Sequence, residues 1–416
     1  MSASSEQGLI FNPYAYEFHE DPYPIYARLR EEAPLYHNQE MGFWAVSRHE
    51  DVIDGFRDVT RLSSSHGVSL DPMASGPHAH KTMSFLAMDQ PMHGRMRALV
   101  SRGFTPRRVA QLEPRIREIA RGYLANLQDG EPFDFIKDFA GRLPMDVISE
   151  LIGVPAQDRD ELRIKSDLLV HREEGVEDVP PEGIAAAMDL VVYYSEMLAE
   201  RRARPTDDLT SALLEAEIDG DRLNDDEIIG FLFLMVVAGN ETTTKLLGNA
   251  WYWAWRNPDQ RSKVFEDPSR ISSWVGETLR YDTSTQLLAR ISTCDIELHG
   301  GVIPAGDRVV LLVGSANRDH RVFSNPDEYD LDRPEPLPQV ASFGFGRHFC
   351  LGASLARLEA QVALQELVSA ADTYEINAAA AKRVHSINVR GFASLPSTVT
   401  LRSQPLPIAA QTTGDC

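Results

Sequence analysis

The chain has 416 residues and a formal net charge of −21, from 62 acidic against 41 basic side chains. Hydrophobic residues make up 43% and charged residues 25%, a composition that builds a large core and excludes disorder. So acidic a surface repels nucleic acid and anionic lipid, whose binding would need a strong local reversal of sign.

The N-terminus, up to Asp21-Pro22-Tyr23-Pro24, lacks the basic and apolar regions of a signal peptide. The most apolar stretch, Ile228 to Gly239, is well short of the roughly twenty residues that cross a bilayer. The three cysteines, Cys294, Cys350 and Cys416, are too sparse for a disulfide framework and suit a reducing cytosol. A cytoplasmic protein is expected.

Residues 1–65 mix short helical and strand-like pieces around prolines. From Pro106 to Gln128 the apolar positions Val109, Leu112, Ile116, Ile119, Tyr123 and Leu127 recur at three- and four-residue steps and predict one amphipathic helix. Helical patterns continue over 157–169, 184–203 and 207–216. A long central helix follows, about 224–256, opened by an Asn224/Glu227 capping box and stopped at Asn257-Pro258. At 1.5 Å per residue it spans about 50 Å, and its run IIGFLFLMVVAG is apolar all round, so it belongs inside a core.

Another helix is predicted from Pro268 to Tyr281, then a hairpin over 288–314 turning at His299-Gly300-Gly301. A proline-rich meander fills 323–342, a last helix covers 352–371, and the C-terminal segment alternates like short strands. The fold class is mainly α with minor β. No Pro/Gly/Ser linker divides residues 1–416, which argues for a single domain.

Four constellations carry chemistry. The first is Phe343-Gly-Phe-Gly-Arg-His-Phe-Cys350-Leu-Gly352, directly before the last helix. Its glycines allow a tight turn and close approach, its phenylalanines exclude water, and free amides at the helix start favour a thiolate at Cys350. Cys294 and Cys416 have no such setting and read as ordinary small side chains. The second, Ala238-Gly-Asn-Glu-Thr-Thr243, is the wrong composition for a buried helix: glycine costs up to about 1 kcal/mol, and a buried Glu241 needs a partner. The Thr242 hydroxyl can bond back to the Ala238 carbonyl and bend the helix. The third is Glu277-Thr-Leu-Arg280, an i, i+3 pair on one helix face; the fourth is His93-Gly-Arg-Met-Arg97, two donors at i, i+4 suited to one carboxylate.

The first segment fills every fixed position of the haem-binding loop Phe-Gly-x-Gly-x-His/Arg-x-Cys-x-Gly, and the chain resembles the cytochrome P450 family throughout. The resemblance implies one triangular helical domain with small β-sheets, haem b, and Cys350 as its axial thiolate, which favours O–O cleavage. Phe343 and Gly344 then belong to the haem loop, and His93, Arg97, Arg290 and His348 bind the propionates. Glu241 and Thr242 relay protons to dioxygen, with Gly239 leaving room for it. Glu277, Arg280 and Arg333 become a buried structural triad. Ala238, Leu234, Leu287, Leu288 and Phe392 line the substrate pocket, which the 65–90 loop covers with Met73, Met83, Phe85 and Met88.

The implied activity is a monooxygenase that spends two electrons and O2 to hydroxylate a lipid, terpenoid or steroid-like molecule. Electrons would come from a ferredoxin and its NAD(P)H-driven reductase. Arg95 to Arg108, with five arginines and no acid, is the expected docking segment through Arg95, Arg102, Arg107 and Arg108. A peroxide-driven enzyme and a non-catalytic haem protein are the rivals; the Glu241-Thr242 pair argues against the first.

Overall fold

A computed structural model describes residues 8–406 apart from 173–175, 177, 219 and 335–336, and leaves the side chains of Met73 and Arg102 undescribed. Expectations for Met73, Arg102 and Cys416 therefore fall outside the described residues.

The helices that position the site are α1 (Met92–Val100), α2 (Arg159–Val170), α3 (Pro181–Ala203), α4 (Asp225–Arg256), α5 (Ile271–Tyr281) and α6 (Ala353–Ala370). Helix α4 has 32 residues and opens on the expected capping box. The Asn224 side chain accepts from the Glu227 amide at 3.0 Å, and Glu227 accepts from the Asn224 amide at 2.9 Å. Its middle is buried on all sides: Phe231, Leu232, Val236 and Leu247 have no solvent exposure. It packs against α2, α3, α5 and α6. The core runs along it.

One predicted helix divides. The span expected from Pro106 to Gln128 is two helices, Pro106–Gln111 and Glu113–Leu124. Pro114 has no amide to give to the preceding turn, so the chain restarts there with proline near its N-terminus.

Strands β1 (Leu35–Asn38), β2 (Phe43–Val46), β3 (Leu62–Ser63), β4 (Leu288–Ser292) and β5 (Arg308–Leu311) form one sheet in the order β1-β2-β5-β4-β3. The predicted hairpin is the antiparallel β4/β5 pair, carrying a smaller hairpin of Ile296–Leu298 and Gly301–Ile303 at its tip. His299 turns that tip with a positive φ of 49°. Near the C-terminus, Ala371–Ile376 pairs with Pro396–Leu401, which also pairs with Pro132–Asp134.

Glu277, Arg280 and Arg333 meet as expected. Arg280 is fully buried and donates to both Glu277 carboxylate oxygens at 2.8 and 2.7 Å. Arg333 adds its Nε at 3.0 Å to each oxygen. Both guanidinium groups also donate to carbonyls of the 317–328 segment, so the triad ties α5 to the meander. No described helix is long and apolar enough to cross a membrane.

Candidate active site

A cavity of about 220 Å³, counted as space open to the centre of a water-sized sphere, lies between α4 and the Phe343–Gly352 loop. Helix α4 lines it with Leu234, Ala238, Thr242 and Leu246, an i, i+4 stripe, and with Met235, Gly239 and Thr243 beside it. The Thr242 hydroxyl donates to the Ala238 carbonyl at 2.8 Å, the back-bond expected there, while the helix continues unbroken to Arg256. A methyl group on Gly239 would meet only Ile148, at 3.8 Å, so packing within the protein does not demand glycine. Gly239 instead keeps the cavity side of the helix open.

Glu241 has its carboxylate elsewhere. It is 1% exposed, absent from the cavity wall, and ion-paired with Lys245 one turn on at 3.0 Å. Beside it stands Asp167 of α2. Burial opposes ionisation of Glu241, but the Lys245 ammonium and the Asp167 contact hold its pKa below the ordinary range. Asp167 is pushed up to about 8 by burial first and then by Glu241. The two carboxyl groups titrate as one pair, and the half-exposed Asp167 also pairs with Arg163 at 3.3 Å.

The loop on the other wall is built for a sulfur ligand. Gly344 and Gly346 have φ of 65° and 68°, a conformation other residues rarely adopt, and a Cβ on Gly346 would press on the Phe56 carbonyl at 3.3 Å. The Cys350 amide donates to the Phe343 carbonyl at 2.9 Å, closing the turn. Cys350 is exposed where it opens onto the cavity. Burial pushes its thiol up, while the amides of Gly352 and Ala353, at the start of α6, and the Arg97 and Arg357 charges favour the thiolate. Phe343 forms cavity wall under Arg357, whose guanidinium carbon sits 4.4 Å from the ring. Phe349, expected to exclude water, is instead 41% exposed.

At one edge of the cavity, donors gather without acceptors. The His93 and His348 rings lie 4.1 Å apart, tilted by 42°, and the buried His93 Nε2, His348 Nδ1 and Arg97 Nη1 have no hydrogen-bond partner among the described residues. Arg290 is buried on the cavity wall with no carboxylate partner among the described residues, and burial lowers its pKa to about 10. Burial first, then neighbouring cations, drives His93 to about 4 and His348 to about 3. Four convergent donors beside a cavity that presents a cysteine sulfur fit a planar metallocofactor carrying carboxylates.

Three pocket expectations need correction. Leu287 is fully buried in a separate cluster with Phe11, Tyr26 and Phe43, because it precedes Leu288 on an extended segment and alternation sends the two to opposite sides. Leu288 does line the cavity. Phe392 packs on Tyr252 at 4.8 Å and under Arg383 at 4.2 Å, on a face of α4 turned away from the cavity. Of the covering loop, Phe85 reaches the wall, with Leu86, while Met88 is buried in the main core. Sequence reasoning missed Phe104, Leu246 and Glu359 as wall residues; the stripe from Leu234 to Thr242 points on to Leu246.

The cytochrome P450 family profile matches residues 185–370. The chain is 58% identical over 394 residues to cytochrome P450 123 of Mycobacterium tuberculosis, covering 95% of this chain and 98% of that one. It is 40% identical to the vitamin D(3) 25-hydroxylase of Pseudonocardia autotrophica, over 93% and 96% of the two chains. Among solved structures, CYP109E1 from Bacillus megaterium in complex with corticosterone superimposes with a TM-score of 0.81 at 32% identity, over 92% and 99% of the chains. With a cysteine loop, a cavity and a donor set that fit haem, and relatives this similar along nearly its whole length, the chain belongs to the cytochrome P450 family and is a haem-thiolate monooxygenase.

Proposed function

We propose that the protein hydroxylates a bulky, rigid apolar molecule of the steroid class, using haem b held by Cys350. The observation that carries this reading is the cavity itself. Around Cys350 and Thr242 its wall is aromatic and aliphatic, from Phe85, Phe104, Ile148, Leu234, Met235, Leu288 and Val313. Such a wall binds by burying apolar area and leaves orientation to a few polar groups. Two similar proteins carry names in keeping with a steroid or secosteroid ligand.

His93, Arg97, Arg290 and His348 would hold the haem propionates, and Phe343 and Gly344 would border the cofactor. When bound, haem supplies dioxygen binding and reductive O–O cleavage. The chain's own part is to exclude water, to orient the substrate against Leu234, Ala238 and Leu288, and to hold protons at Thr242. The Thr242 hydroxyl gives its hydrogen to Ala238 and so keeps its lone pairs free to accept a proton inside the cavity. Glu241 serves as the acid only after leaving Lys245, which makes that ion pair a gate.

Electrons would come from an acidic ferredoxin with its reductase, docking near Cys350. Arg107 and Arg108 are exposed at the start of the 106–111 helix, and Arg347 is exposed in the loop itself. Arg95 drops out of that surface, since it is bound to Asp221 and Glu227.

The test titrates the purified protein with steroids, linear fatty acids and monoterpenes while watching haem absorbance for loss of the water ligand, followed by product analysis. Tighter binding and hydroxylation of steroids supports the proposal. A response to fatty acids alone overturns it. Cys350→His should keep some haem and lose the red-shifted absorbance of the reduced carbon monoxide complex; retention of that band would move the ligand elsewhere.

A further inference from the structure

Single exposed apolar side chains are ordinary on a protein surface, but a cluster of them is not. Among the described residues nine large hydrophobics are exposed, and five of them share the outer face of α2 and α3. They are Ile164, Leu168, Met188, Val191 and Val192, between 37% and 66% exposed. Their spacing is helical. Ile164 and Leu168 are i, i+4 on α2, and Met188, Val191 and Val192 are i, i+3, i+4 on α3, so each set forms one stripe.

Three contacts hold the helices antiparallel and bring the stripes side by side. Tyr193 donates to Asp158, just ahead of α2, at 2.8 Å, and Lys165 pairs with Asp189 at 2.8 Å. A Cβ on Gly183 would strike the Leu168 carbonyl at 2.7 Å. The inward sides are already filled, by Leu162 on α2 and by Leu190, Tyr194 and Met197 on α3. Both helices are therefore apolar on two sides, which packing within this chain does not require.

Charge decides what can cover this trough. Its ends are acidic, with Asp160, Glu161 and Glu196 exposed at one and Glu182 at the other. The local cations are already used. Lys165 is held by Glu161 and Asp189, and Arg163 by Asp160 and Asp167, each cation less exposed than the acids that hold it. A second copy would bring acid against acid on a chain of charge −21, and anionic lipid and an acidic ferredoxin are repelled alike.

We propose that the outer face of α2 and α3 is the docking surface for a partner protein other than the electron donor, one that presents an amphipathic helix with an apolar stripe between basic residues. Apolar anchors seated between the two helices supply affinity, and lysine or arginine at the ends fixes orientation and rejects other partners. Both helices pack on α4, which lines the cavity, so the partner sits one helix away from the substrate.

The test uses the haem-loaded protein and, as probe, a synthetic leucine/lysine peptide with amphipathic helical spacing. Fluorescence anisotropy compares it with a scrambled peptide of the same composition and with a leucine/glutamate analogue. Wild type should bind the basic amphipathic peptide at least about tenfold more tightly than either. Met188→Gln with Val192→Gln, which removes no charge, should lower that affinity about tenfold, and Val302→Gln, an exposed apolar residue elsewhere, should leave it unchanged. Glu161→Gln with Glu196→Gln should weaken binding most at low ionic strength. Circular dichroism and haem absorbance should match wild type in all three variants, since every replaced side chain is exposed. If the scrambled peptide binds as well, or affinity survives the Met188 and Val192 replacements, the proposal falls. Unchanged affinity after the Glu161 and Glu196 replacements removes the basic partner. The proposal falls equally if sedimentation shows wild type dimerising, or phosphatidylcholine vesicles capturing it, through Met188 and Val192, because the occupant is then a second copy or a lipid surface.

Discussion

Replacing Glu277 with alanine removes the one acid that faces two buried arginines. Arg280 is fully buried and Arg333 has a side chain only 10% exposed. Breaking a buried ion pair on one side typically costs about 3–5 kcal/mol, because the remaining charge is left uncompensated. Arg280 keeps three carbonyl partners, at 3.1, 2.8 and 3.0 Å, which sets the expectation at the lower end, about 3 kcal/mol. Unfolding entropy near 2.1 cal/mol/K per residue amounts to about 0.9 kcal/mol/K for this chain, so Tm should fall by about 3 °C. Arg95→Ala is the control. It also breaks arginine–carboxylate contacts, but side-chain exposures of 33% for Arg95 and 47% for Asp221 limit each pair to about 1 kcal/mol. With two such pairs lost, its Tm should fall by at most about 2 °C. Scanning calorimetry on both variants, with haem absorbance recorded in parallel, reads the difference. If Glu277→Ala melts no lower than Arg95→Ala, burial is not what gives the triad its weight and the argument fails.

Thr242→Ala should bind substrate and accept electrons yet divert them to peroxide. Product per reductant should fall far more than reductant consumption, within the 10²–10⁴ range of general-acid effects, and unchanged coupling would remove Thr242 from the chemistry. His19 is 5% exposed and lowered to about 4, chiefly by burial. The unfolded chain therefore takes a proton below pH 6.5 that the folded one refuses until about 4, so stability present above 6.5 is lost as pH falls through that window. His19→Gln should flatten this acid limb by on the order of 2 kcal/mol in denaturation measured pH by pH. Arg107→Glu with Arg108→Glu should slow ferredoxin-driven reduction most at low ionic strength; equal stopped-flow rates at low and high salt would place docking elsewhere.

The parts of this molecule legible in its sequence are those set by neighbours in the chain. Asn224 and Glu227 declare the start of α4 because a capping box is complete within four residues. The Cys350 loop is legible because its glycines are required by its own backbone. Pro114 was equally visible, but the apolar period ran through it and hid the break after Gln111. Leu287 shows the limit of counting: one step along an extended segment exchanges cavity for core. The partner of Glu241 sits at the i+4 position, where Lys245 could have been read. Asp167, 74 positions away by sequence number, could not. Glu359 sits in a helix of ordinary composition, and only the fold puts it on the cavity wall.

Arg95 ties two regions that the chain separates by more than a hundred residues. It grips Glu227, a member of the capping box that opens α4, and Asp221 just ahead of it. Its neighbours in α1, His93 and Arg97, are the donors facing the cofactor site from the other side of that helix. The start of α4 and the cofactor-binding face of α1 are thereby braced as one frame. A ligand that draws the beginning of α4 inward would carry His93 and Arg97 with it, so occupancy of the substrate side would be felt at the grip proposed for the cofactor's carboxylates.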